Sequence, residues 1–193
     1  MDIYKINVKF YLKEGQEIEP ETWFETFNTW IPTTKDEVLV DVADYSHVRP
    51  GPVTLLVGYE ANYSIDNTDN RLGLLYNRNR PLDGDLSERL HAVFVAALKA
   101  CVRLEDAPLL RNKVKFSGEE LSLVLNDRLL APNTQETFTA LDPTLKDLFN
   151  TLYGGGEYTI EHNQDAKQLF SLSIKAKGDW AIPTLLKNIE NSL

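Results

Sequence analysis

"VTLLVGYEANYSID" (residues 53–66), "NTDN" (67–70) and "RLGLLYNR" (71–78) form the stretch whose reading decides the fold. Val57, Tyr59, Ala61, Tyr63 and Ile65 recur at every second position, which predicts one strand with all five on a single face. "NTDN" is turn chemistry, and Leu72, Leu74 and Tyr76 return in phase, so the stretch reads as a hairpin. Setting Ile65 opposite Leu72 places Tyr63 opposite Leu74, Ala61 opposite Tyr76 and Tyr59 opposite Arg78. Arg78 then takes core-face parity, and Arg80 shares it where the strand continues, whereas Glu60 points to the other face with Asn62 and Asn77.

Upstream, "IYKINVKFYL" (3–12) alternates Tyr4, Ile6, Val8, Phe10 and Leu12 with polar residues, the pattern of a half-buried strand. Pro20 opens a helix carrying Trp23, Phe24, Phe27, Trp30 and Ile31, and Pro32 stops it. "EVLVDVAD" (37–44) is a second strand, with Val38, Val40 and Val42 setting a parity that Asp44 shares. Proline and glycine make 45–52 a loop.

Downstream, Asp85 and Glu88 form a capping-box pattern ahead of a helix with Leu86, Leu90, Val93, Phe94, Ala97, Leu98 and Cys101. Its middle is apolar nearly all round, which makes it the central buried helix. "VKFSGEELSLVLND" (114–127) reads as a hairpin around Gly118. Asn133 and Glu136 cap a further helix, which Pro143 breaks or restarts and Gly154–Gly156 end. "EYTIEH" and "QLFSLSIKA" make another hairpin, and "IPTLLKNIENSL" a closing helix. The order is β-α-β followed by three hairpin–helix units. Hairpins rather than strand–helix crossovers predict an α+β fold: a mostly antiparallel sheet with helices packed on it, one domain over 1–193, with 108–113 the point where it would subdivide.

The chain has 193 residues, enough to bury about 70% of its unfolded surface without a disulfide or metal. A formal net charge of −9, spread along the chain, argues against nucleic acid or an anionic membrane as partner. The N-terminus lacks the apolar core of a signal peptide, and "AVFVAAL" (92–98) is far short of a membrane span, so the reading is cytoplasmic. Free strand edges, with "IYKINVKFYL" as an edge guarded by Lys5 and Lys9, favour a homodimer.

No GxGxxG, P-loop, GxSxG or HExxH is present, and no cofactor is expected. Cys101 lies on the apolar stripe and reads as a buried, inert thiol. His47, His91 and His162 lack ligand spacing, so no metal site is expected. Trp23 and Trp30 read as core, and the neighbouring carboxylates of "KDEV" (35–38) and "GEELS" (118–122) as solvated.

One constellation remains. With 45–52 joining antiparallel neighbours, Asp44, His47, Arg49, Arg78 and Arg80 gather at one end of the sheet. Arg78 would pair with Asp44 at the core margin, as a structural ion pair or as part of an anion-binding edge. The expected function is a non-catalytic binding or assembly module, with a protein partner or a small anionic ligand. The alternative is an enzyme acting on a small carboxylate or phosphate substrate around Asp44, His47 and Arg78.

Overall fold

A computed structural model describes residues 2–48 and 50–191. Eight strands form one antiparallel sheet with four helices packed on it, an α+β fold. The strands are β1 (Ile6–Leu12), β2 (Leu39–Asp44), β3 (Pro52–Gly58), β4 (Ala61–Asp66), β5 (Gly73–Arg78), β6 (Phe116–Leu125), β7 (Tyr158–His162) and β8 (Phe170–Ala176). The helices are α1 (Pro20–Thr33), α2 (Leu86–Asp106), α3 (Gln135–Leu152) and α4 (Ile182–Glu190). The sheet order is β2-β3-β4-β5-β1-β6-β8-β7, so it runs unbroken past residues 108–113.

The 53–66 stretch is two strands, not one. Val57 pairs with Asn62, and the chain reverses through Gly58, Tyr59, Glu60 and Ala61. A side chain at Gly58 would meet the Ala61 carbonyl at 2.3 Å, so this tight reversal requires glycine. The period-two pattern runs straight through the reversal in sequence but changes face in space. Leu56 faces Tyr63 in the core, and Val57 lies beside Asn62 on the other face. The β4–β5 register is Ile65 opposite Leu74, Tyr63 opposite Tyr76 and Ala61 opposite Arg78. That is two residues from the sequence reading, a shift that preserves the face, and Arg78 is indeed buried on the core side.

Three further expectations change. β6 is a single ten-residue strand; Gly118 is no turn but the place where the strand passes the Trp180 backbone. β1 is central, between β5 and β6, and the edge strands are β2 and β7. Lys9 does not guard an edge: it is buried on the opposite sheet face, 2.6 Å from Asp66. In β2 a bulge between Leu39 and Asp41 turns both Leu39 and Val42 inward and leaves Val40 exposed.

Helix boundaries follow the sequence more closely. Asp85 and Glu88 form the capping box of α2. Thr134, not Asn133, caps α3 through the Thr137 N–H. Pro143 does not break α3, because buried Leu141, Leu145, Leu148, Phe149 and Leu152 hold both sides of it on the core. α2 lies over the sheet centre, with Phe94 edge-on to Phe10 at 6.4 Å and to Phe149 at 5.8 Å. Cys101 is fully buried there, and burial pushes its thiol pKa well up. Among the described residues, no helix is long and apolar enough to cross a membrane.

Candidate functional site

The missed reversal decides where the predicted site residues go. β2 ends and β3 begins at one end of the sheet, β3 turns into β4 at the other, and β5 ends beside that turn. Asp44 and Arg78 therefore lie at opposite ends, and their expected ion pair does not exist. Asp44 is exposed and accepts the Ser46 N–H at 2.8 Å, which lowers its pKa. His47 is exposed in the same loop, and Arg49 lies outside the described residues. Arg78 and Arg80 share the other end, where exposed Arg80 lies over the Tyr59 ring at 4.7 Å.

The partner of Arg78 is Glu60, the residue the sequence reading set aside. In the reversal Glu60 sits beside the end of β5, 2.8 Å from one guanidinium nitrogen. Arg78 Nε donates to the Arg80 carbonyl at 2.9 Å, and its other terminal nitrogen to the Pro81 carbonyl at 3.4 Å. The backbone N–H groups of Asn79 and Arg80 both donate to the Glu60 carbonyl, tying the β5 end to the turn.

This arginine forms part of the wall of a cleft of about 660 Å³ between α1, α2 and the β4–β5 hairpin. One wall is aromatic. Trp30 meets Tyr63 edge-on at 5.8 Å, and Tyr63 meets Tyr76 at 5.2 Å. The facing wall is the stripe Ala92, Val95, Ala96, Lys99 and Arg103 of α2, adjacent to its core stripe. Ala92 and Ala96 are small, which leaves the space open.

Glu37 stands at the mouth, in the link between α1 and β2. It is half-buried and accepts the Tyr63 hydroxyl at 2.8 and 3.1 Å from its two oxygens. Burial pushes its pKa up; the Tyr63 hydrogen bond and Arg103 pull it down, and Asp36 and Glu60 reinforce the rise. Tyr63 and Tyr76 are held protonated, chiefly by their own burial. Arg103 lies over the Trp30 ring, 4.2 Å from its centroid, and donates to the Thr34 and Thr33 hydroxyls, both at 2.8 Å. Its burial lowers its pKa, opposed first by Glu37. Lys99 pairs with Glu190 at 2.9 Å, and His91 Nε2 is 2.8 Å from the Ile189 carbonyl.

No model of a known protein family matches the chain, and no curated protein does.

Of the candidate site residues picked from sequence, Arg78 lines the cleft and Asp44, His47 and Arg80 do not, among the described residues. Glu37 belongs to the "KDEV" carboxylates read as solvated, a correction that burial against Tyr63 requires. Trp30 is core as expected, and also cleft wall. One signal was present in the sequence: the small residues Ala92 and Ala96 recur four apart beside the apolar stripe of α2. Among the described residues, no three histidine, cysteine or carboxylate groups gather as a metal site.

Proposed function

We propose that the chain is a non-catalytic binding module whose ligand is a small molecule held in the cleft between α1, α2 and the β4–β5 hairpin. The observation that carries this is the combination of an aromatic wall, Trp30 and Tyr63, with a half-buried carboxylate, Glu37, that forms no ion pair and accepts a hydrogen bond from the Tyr63 hydroxyl alone among the described residues. A cavity of about 660 Å³ is the size of ordinary ligand sites, which combine apolar walls with a few polar groups that set orientation. The arginines favour this over an enzyme built on Asp44, His47 and Arg78, because Asp44 and His47 are at the far end of the sheet.

The test is a fragment screen observed by NMR, with the Trp30 indole N–H and the Ala96 methyl as reporters. Fragments should move both signals, and Ala96→Phe, which fills the cleft from α2, should abolish those shifts while the protein stays folded. A screen in which no fragment moves either signal would refute the reading.

A second reading places chemistry in the same cleft. Glu37, whose carboxyl burial holds above the ordinary glutamate range and which accepts the Tyr63 hydroxyl, is placed to act as a general acid or base on a bound ligand. It requires turnover of a bound ligand that Glu37→Gln abolishes while binding survives.

A further inference from the structure

We infer that the occupant of the cleft carries an ammonium group on an apolar body, and that Glu37 is the residue that recognises it. This inference rests on the binding reading above.

The cations of the cleft are already committed. Arg78 distributes its nitrogens among Glu60 and the carbonyls of Arg80 and Pro81. Arg103 gives both terminal nitrogens to the threonine hydroxyls and lies over the Trp30 ring. Lys99 is held by Glu190. A ligand carboxylate or phosphate would have to displace one of these contacts before gaining its own.

The carboxylates are less committed. A carboxylate offers about four acceptor positions, and Glu37 receives one hydroxyl. Neither Glu37 nor Asp36 forms an ion pair among the described residues. Beside His91, four carboxylates (Asp36, Glu37, Glu60 and Glu190) line the cleft against Arg78, Lys99 and Arg103. An ammonium beside Glu37 would supply donors to its remaining acceptor positions and offset the cost of its burial. Behind it, Trp30, Tyr63, Tyr76 and Val95 offer apolar surface for a hydrocarbon or aromatic body.

Three matched probes decide this: 2-phenylethylamine, 2-phenylethanol and 3-phenylpropionate, each titrated into the full chain near neutral pH and low salt. The amine should bind tightest, by about tenfold over the alcohol, with the carboxylate weakest. Glu37→Gln keeps an acceptor for Tyr63 and should bring the amine to the level of the alcohol without moving the alcohol. Wild-type affinity for the amine should fall with added salt, and on acidification as Glu37 takes up its proton. The other groups that shape this titration are Asp36, Glu60, Tyr63 and Arg103 around it, and Tyr76, Arg78, His91, Lys99 and Glu190 further along the cleft. The salt and pH arms use the unmodified protein, so a variant that fails to fold leaves the inference open to refutation. An alcohol or carboxylate that moves Trp30 as tightly as the amine, or an amine indifferent to Glu37→Gln, overturns the ammonium inference and leaves the cleft reading standing. Probes that fail while neutral fragments still bind at Trp30 overturn the inference alone. A cleft that takes no fragment of any charge overturns both.

Discussion

The Arg78 side chain is 9% exposed and donates to three acceptors, while its partner Glu60 remains half in water. The pair is therefore lopsided: removing the arginine strands two carbonyls and a hydrated carboxylate, whereas removing the carboxylate strands a buried cation. Arg78→Ala should cost roughly 1–4 kcal/mol in urea unfolding. Arg80→Ala, on an exposed side chain stacked on Tyr59, should leave the midpoint near wild type. Equal effects from the two would show that Arg78 contributes no more than a surface charge. Glu37 makes a second case, with the opposite sign. Its folded pKa is raised, so the folded state holds its proton to higher pH than the unfolded chain does. Stability from this group is then full at low pH and lost as pH rises from the ordinary glutamate range through the raised folded value. Glu37→Gln should melt above wild type at neutral pH, and the gap should close on acidification. A variant less stable than wild type at neutral pH would contradict the sign. The parity of Arg78 could be read from alternation alone, because Leu74 and Tyr76 fix the face. Its partner could not, because Glu60 reaches it only through the reversal at Gly58–Ala61.

At the scale of elements, what the sequence conceals is where a strand stops. "VTLLVG" is apolar at both parities, so alternation could not show that Leu56 rather than Val57 faces the core, and "GYEA" carries no Asn-Gly or proline to mark a turn. Gly118 is the converse case: a glycine that interrupts a strand pattern reads as a turn, yet β6 runs straight through it. There the glycine allows close approach. Its N–H donates to the Trp180 carbonyl at 3.1 Å, its own carbonyl accepts the Tyr153 hydroxyl at 3.2 Å, and an added Cβ would lie 2.2 Å from the Trp180 oxygen. Gly118→Ala should destabilise by about 1–3 kcal/mol or more and perturb Trp180 fluorescence, because backbone rather than a flexible side chain must move. Ser117→Ala, one residue away and only half-buried, is the control and should change little. If Gly118→Ala were as mild, the strand and the Trp180 loop would have to separate freely. Helix ends were legible by contrast, because their signals are local: the Asp85–Glu88 box and the glycines after Leu152 act within a few residues of themselves.

At the scale of the whole molecule, the α+β class followed from counting hairpins, but the position of β1 did not. Alternating lysines look the same on an edge strand as on a central strand whose second face holds Lys9 against Asp66. That position bears on how the chain folds. β2 to β5 with α1 lie on one side of β1, and β6 to β8 lie on the other. β1 pairs with both sides, while α2 packs on β1 and β5 and also touches α3 and α4. A division at 108–113 would part α2 from α4 and β1 from β6, tearing the sheet at its middle. The two sides should therefore unfold together. Tryptophans report on each: Trp23 and Trp30 on α1 for the first, and Trp180, packed on Tyr153 at 5.4 Å, for the second. Trp180→Phe leaves the α1 signal, and Trp23→Phe with Trp30→Phe leaves that of Trp180. Within each variant, the tryptophan signal and the far-ultraviolet circular dichroism should give one coincident urea transition. Unfolding in which Trp180 moves at a different midpoint from the backbone would mean that the β6–β8 side folds apart from the rest. The cleft, built on α1, α2 and the β4–β5 hairpin, would then be expected to survive the loss of that side.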